Sequence, residues 1–199
     1  VSGDLSTPLD GKGGEPVMAH AFAYDDVDPE AALKYAVQIM DERAEVVEGR
    51  FVLVSPTWDH ENLVDLIRNQ LYQRVRELGC RMGSGNLDLP RSSNWYVPDL
   101  AVVPSELAKG GGALLPDQTL LIVEVTSKSN GDTDRKVKRE RYAQYGAPLY
   151  LLADRQERSW TLYSDPHDLG FAEQDGPHLF GTPIVLPDPF GITVDTSDF

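Results

Sequence analysis

Apolar side chains recur along this chain in two rhythms. Between His60 and Leu78 they fall at Leu63, Val64, Ile67, Leu71, Val75 and Leu78, a three-or-four spacing closed by Gly79, which predicts an amphipathic helix over 60–78. A shorter helix is expected over about 29–42, where Asp28 is an N-cap, Pro29 takes the first helical position, and Leu33, Ala36, Val37 and Met40 share a stripe. A third, charged helix is expected from Asp134 to Tyr145, ended by Gly146 and Pro148.

The other rhythm is that of strands. Residues 44–54 split at Gly49 into two short apolar runs stopped by Pro56, a hairpin pattern. Residues 119–126, TLLIVEVT, are apolar on both faces apart from one glutamate, as in a central buried strand. Residues 81–88, with Gly83 and Gly85, predict a short or bulged strand. A strand over 96–103 contains Pro98, which cannot donate to a ladder and so marks an edge or a bulge. Residues 109–118 read as a loop, and Leu149 to Ala153 with Trp160 to Tyr163 as a hairpin across a polar turn. The Pro- and Gly-rich remainder is expected to add short strands to the same sheet. The order is an α/β or α+β plan in which helices flank the mixed β-sheet. Residues 1–26 lack periodicity and read as a flexible N-terminal arm, leaving 27–199 as the domain.

Composition narrows the function. The 199 residues are 41% hydrophobic and 25% charged, which suits one globular domain and excludes wholesale disorder. The longest aliphatic stretch, Leu120 to Val123, is far below the ~18 residues that span a bilayer, so no membrane role is expected. No secretory signal is visible, and the single cysteine, Cys80, excludes an intrachain disulfide and a Cys-based metal site, which points to a reducing cytoplasm. A net charge of −14 opposes binding to a polyanion unless a basic surface exists locally.

Common signatures fail on spacing. There is no Walker loop, the glycines near Gly83 do not continue as a dinucleotide fingerprint, and His60-Glu61 lacks the second histidine of a zinc-protease helix. Asn130, Asp132 and Asp134 imitate the start of a calcium loop, but Arg135 replaces its glycine and Arg141 its closing glutamate. No serine sits in a nucleophile elbow.

Glu124 needs explaining, because a carboxylate in a doubly buried strand is costly unless it is paired or holds a metal. Asp99, after Pro98 in the neighbouring run, can bring a second carboxylate beside it. Two oxygen donors on rigid strands suit Mg2+ or Mn2+. Asp134, Lys138 and Tyr142, spaced four and four, lie along one face of the helix that follows, from which Lys138 can swing over the carboxylates. Each residue also has a plainer reading: Asp99 as a turn residue, Glu124 as half of an ion pair, Lys138 as solvated, His60 as a cap and Tyr142 as core. Their joint occurrence favours a site.

Pro98-Asp99, Glu124-Val125 and a following lysine together resemble the PD-(D/E)xK nuclease superfamily. More closely, the chain resembles the Uma-two family of restriction-endonuclease-like proteins. The likeness runs from about Asp28 to the C-terminus: Glu45-Val46-Val47-Glu48-Gly49 and Ser55-Pro56 before His60 match the family's opening, Pro98-Asp99-Leu100 its second motif and Glu124-Val125-Thr126-Ser127 its third. Asp134, Lys138, Tyr142, Gly146 and the strand from Tyr150 to Asp154 match its closing segment.

The resemblance implies a restriction-endonuclease-like fold and a Mg2+- or Mn2+-dependent endodeoxyribonuclease that hydrolyses DNA phosphodiester bonds with a metal-activated water. It makes Asp99, Glu124 and the backbone carbonyl of Val125 metal ligands, with Glu45 a further candidate. Asp99, Glu124 and Lys138 are then the catalytic set, supported by His60, Asp134 and Tyr142. The superfamily's usual lysine lies two residues after the acid, where this chain has Thr126. The family moves its lysine onto the helix, which makes Lys138 the candidate. From 127 to 142 six basic residues stand against three acidic ones, so Arg135, Lys136 and Arg139 are the expected nucleic-acid contacts, with weak and salt-sensitive affinity. The alternative is a non-catalytic interaction module that retains the nuclease fold. A monomer and a homo-oligomer both stay open.

Overall fold

The apolar run around Glu124 forms an inner strand of the main sheet. The computed structural model describes residues 28–40, 43–127 and 131–199, so the expected arm over 1–26 lies outside the described residues. The elements are α1 (Pro29–Gln38), β1 (Ala44–Val47), β2 (Arg50–Leu53), α2 (Trp58–Glu77), β3 (Cys80–Gly83), β4 (Leu87–Asp88), β5 (Trp95–Tyr96), β6 (Leu100–Pro104) and β7 (Leu121–Val125). A π-helical segment, Thr133–Lys138, then runs into α3 (Arg139–Gln144), followed by β8 (Leu149–Asp154), β9 (Ser159–His167), β10 (Gly170–Leu179), β11 (Ile184–Leu186) and β12 (Ile192–Val194). The main sheet has the order β10-β9-β8-β7-β6-β3, in which β7 and β8 are parallel and the other pairs antiparallel. A smaller sheet, β2-β1-β5-β4, holds the hairpin from residue 44 onward, and β11 pairs with β12.

Strand β7 is buried on both faces because α2 covers one of them and the smaller sheet, together with α3, covers the other. The stripe Leu63, Val64, Ile67, Leu71 and Val75 of α2 packs with Leu121, Val123 and Val125 in one core. Ile122 turns the other way, into a second core with Tyr96, Tyr142, Ala147, Tyr150 and Leu152. Glu124 follows Ile122 by two residues and so belongs to that second side. Helix α2 begins at Trp58, two residues before the predicted start, because the Thr57 hydroxyl accepts the His60 N–H at 3.4 Å. Asp59 and Glu61 in its first turn and Arg74 and Arg76 in its last suit the helix dipole.

Several expectations need correction. Helix α1 ends at Gln38, short of 42, and residues 41–42 lie outside the described residues. The single strand expected over 81–88 is two strands in two sheets, β3 and β4. The strand expected over 96–103 is likewise broken: β5 lies in the smaller sheet and β6 in the main one, with Val97, Pro98 and Asp99 crossing between them. Pro98 therefore marks neither an edge nor a bulge but a change of sheet, where no ladder asks for its missing N–H. The loop over 109–118 includes a short 3-10 turn, Pro116–Gln118. In the C-terminal remainder, β10 is a long strand of ten residues, and β11 with β12 form a sheet of their own rather than extending the main one.

Candidate active site

The site is built where β6 and β7 part. Their last pair is Leu100 with Val123, and one step beyond it Asp99 stands opposite Glu124. There the side chain of Asp99 takes the place of the strand: its Oδ2 accepts the Val125 N–H at 2.7 Å. The imidazole of His60, from the first turn of α2, reaches the same place, with Nε2 3.1 Å from Asp99 Oδ2 and 3.0 Å from the Val125 carbonyl oxygen.

Beside this group, the ammonium of Lys138 sits among three carboxylates. Its Nζ lies 2.9 Å from Glu45 Oε1, 3.0 Å from Glu124 Oε1 and 3.6 Å from Asp134 Oδ1. Lys138 is 4% exposed and Glu124 2%. Glu45 comes from β1, and its Oε1 also accepts the Val97 N–H at 2.7 Å, so the smaller sheet contributes to the site through a fixed oxygen. The Tyr142 hydroxyl donates to Glu124 Oε1 at 2.7 Å. The Tyr96 ring lies 5.7 Å from Lys138 Nζ and meets Tyr142 edge-on at 5.6 Å. The π-helical winding of Thr133–Lys138 carries Asp134 and Lys138 into this pocket, and the Tyr150 hydroxyl fixes that segment by donating to the Asp134 carbonyl at 2.9 Å.

Charge and burial act together here. Burial pushes the Glu124 carboxyl well above its ordinary range; Lys138 opposes this, while Asp99, Asp134 and Glu45 add to it. Burial likewise raises Asp134, to about 7, again against Lys138. Burial alone would lower Lys138, but Glu124, Glu45, Asp134 and Asp99 outweigh it and hold the ammonium charged. Burial also tends to raise Asp99, yet the hydrogen bond and charge of His60, with Lys138 and the Val125 N–H, bring it below its usual value. His60 is raised in turn, its burial outweighed by Asp99.

The sequence profile of the Uma2 family, described as "Putative restriction endonuclease", matches residues 30–196. The chain belongs to the Uma2 family. Among solved structures, it is similar to the crystal structure of a "putative nuclease belonging to DUF820" from Anabaena variabilis ATCC 29413, with 17% sequence identity and a TM-score of 0.59. The likeness covers 83% of this chain and 95% of that one, and it identifies the mixed-sheet fold as one the two share. No curated protein matches the chain.

In this Uma2 chain the expected residues fall into two groups. Glu45, Glu124, Asp134, Lys138 and Tyr142 form one connected cluster; Asp99, His60 and the Val125 backbone form another directly beside it. Lys138 does not swing over the carboxylates but is locked between them. The expected nucleic-acid contacts lie apart from both groups: Arg135, Lys136 and Arg139 line an open groove of about 700 Å³ against β8 to β10. The Arg135 guanidinium is already engaged there, with Nε 2.6 Å from Asp154 Oδ2 and a second nitrogen 2.9 Å from Oδ1. Arg139 lies over the Tyr163 ring at 5.5 Å.

Sequence reasoning missed two features. One is Tyr96, the aromatic neighbour of Lys138, which read only as a strand residue. The other is the pair of Asp154 with Arg135, joined by Thr126, whose hydroxyl donates to Asp154 Oδ1 at 3.1 Å. A signal for it existed: Asp154 ends an otherwise apolar buried strand, as anomalous there as Glu124 is in β7. Thr126, at the superfamily's lysine position, thus ties β7 to the turn after β8.

The residues fit a hard divalent cation. Three buried carboxyl groups, Glu45, Glu124 and Asp134, with the partly buried Asp99 beside them, have one buried lysine among the described residues, and an added cation would offset the negative charge that Lys138 leaves unpaired. Among the described residues no three His, Cys, Asp or Glu side chains stand in ligand geometry around one point. Mg2+ does not require that, since it is held by one or two carboxylates and keeps several waters.

Proposed function

We propose that this chain is a metal-dependent endonuclease that hydrolyses DNA phosphodiester bonds with Mg2+ or Mn2+, within a nuclease-like domain spanning 27–199 and in a cytoplasmic setting. The observation that carries the proposal is the crowding of Glu45, Asp99, Glu124 and Asp134 at the end of β7, more carboxyl groups than the ammonium of Lys138 can neutralise. Asp99, Glu124 and the Val125 carbonyl would hold the ion. When bound, the ion supplies the positive charge that activates water and offsets charge building up on the phosphate. Tyr142 and Lys138 hold Glu124 in position, and His60 with the Val125 N–H holds Asp99. Glu45, fixed by Val97, anchors Lys138, so that its ammonium stays at the site to meet a phosphate oxygen. Lys136 and Arg139 in the groove along β8 to β10 would contact the DNA backbone.

Supercoiled plasmid incubated with the protein and Mn2+ should be nicked or linearised, and EDTA or Glu124→Gln should abolish the cleavage. Intact plasmid with every divalent ion tested would overturn the proposal. One observation favours the non-catalytic module instead: Lys138 already neutralises part of the carboxylate charge in a chain whose net charge is −14. Its signature would be DNA or protein binding that EDTA leaves unchanged.

A further inference from the structure

We infer that His60 is itself a metal ligand, through Nε2, and that Glu61 is the group that orients it. This rests on the metal-dependent reading above and deepens it. Nε2 stands 3.1 Å from Asp99 Oδ2 and 3.0 Å from the Val125 carbonyl, two atoms that only accept hydrogen bonds when the carboxylate is ionised. A ring nitrogen carries at most one hydrogen, so one proton is shared between two acceptors. Three lone-pair-bearing atoms therefore converge on one place, two of them already assigned to the ion. Replacing that shared proton with a divalent cation would satisfy all three at once.

The opposite ring nitrogen supports this arrangement. Nδ1 is buried and has no hydrogen-bond partner among the described residues, while Glu61 Oε1, on the same helical turn, lies 3.5 Å away. If Nε2 bound metal, Nδ1 would carry the hydrogen, and the half-exposed Glu61 is free to close on it. A metal-bound imidazole characteristically donates its other N–H to such a carboxylate. A histidine that only stapled α2 to the sheet would give no role to Glu61. An imidazole in the ligand set also tilts preference from Mg2+ and Ca2+ towards Mn2+, which takes nitrogen donors more readily.

The test is Mn2+ titration by calorimetry, with pulsed electron paramagnetic resonance of the Mn2+-loaded full chain, on wild type, His60→Gln and Glu61→Gln. Wild type should show modulation from a directly bound nitrogen. His60→Gln, which keeps an N–H near the Nε2 position, should lose that modulation and bind Mn2+ at least roughly 10-fold more weakly. Glu61→Gln, a half-exposed change that leaves the fold intact, should weaken Mn2+ binding several-fold and alter the signal of the remote ring nitrogen. Should His60→Gln fail to fold, the wild-type and Glu61→Gln spectra still decide. Mn2+ bound by wild type without nitrogen modulation would overturn the role of His60 and leave the metal-dependent reading standing. No Mn2+ binding by wild type would overturn both.

Discussion

The two faces of β7 are equally buried and held in opposite ways. Towards α2, Leu121, Val123 and Val125 meet Leu63, Ile67 and Leu71 in a core of aliphatic side chains. Towards α3, the same strand presents Glu124 to Lys138 and Tyr142, with Glu45 and Asp134 close by. Dispersion and hydrophobic transfer hold the first face, and they are indifferent to pH. The second consists of desolvated charges whose balance depends on one ammonium, so its stability depends on which groups are ionised. Exclusion of water is shared by both faces; only the second turns it into stored electrostatic potential.

The sharpest way to separate the faces is to remove the ammonium. Lys138→Met should lower the unfolding free energy by about 3–5 kcal/mol at neutral pH in EDTA, because it strands buried carboxylates without a counter-charge. Urea denaturation measures this. The loss should shrink as pH falls and the carboxylates take up protons. Leu71→Ala, on the other face, should cost about 2–5 kcal/mol through the cavity it leaves. That loss should be the same at pH 5 and pH 8; a pH-dependent cost would break the comparison.

Wild type itself should report the charged face. Asp134 has a folded-state pKa of about 7 against an ordinary 3.8, so the folded state binds this proton more readily than the unfolded chain does. The stability it contributes is fully present below the ordinary value and is lost as pH rises through about 7. In EDTA, unfolding free energy from this group should therefore decline between those limits, and Mn2+ should restore part of it at pH 7. Glu124→Gln keeps the shape and removes one charge, and Mn2+ affinity measured by calorimetry should fall by more than roughly 10-fold.

The smallest effects belong to the groove. Arg139→Ala should reduce the slope of log DNA affinity against log salt by about one unit. Arg135→Ala should leave that slope unchanged and instead cost about 1 kcal/mol of stability, because its guanidinium is committed to Asp154. Equal slope changes in the two variants would place Arg135 on the nucleic acid after all.

Much of this was legible in the sequence where burial leaves a periodic trace. Helix α2 and strand β7 announce themselves by spacing and by apolar continuity, and Glu124 stands out as the exception to that continuity. The break between β5 and β6 left no such trace, since sheet membership depends on partners distant in the chain and Tyr96 to Val103 alternates the same way in either sheet. Strand β10 was hidden for another reason: GFAEQDGPHL is polar and largely exposed, and its extended form comes from pairing with β9. The four-and-four spacing of Asp134, Lys138 and Tyr142 fits α- and π-winding alike, so the face was readable but not the winding. Glu45 became a candidate only through the family resemblance, because its partners, Lys138 and Val97, lie 93 and 52 positions away.

The crossing at Val97, Pro98 and Asp99 also acts as a gauge. Its first residue grips Glu45 of the smaller sheet through a backbone N–H, and its last reaches Val125 of the main sheet through a carboxylate. Between them Pro98 has a fixed φ, and its carbonyl accepts the hydroxyl of Ser84. Three residues of chain thus set the span between Glu45 of the smaller sheet and the acid that reaches the main one. Neither sheet can slide past the other without stretching that ruler, so any motion between the layers is read out at once as a change in the distance between charges.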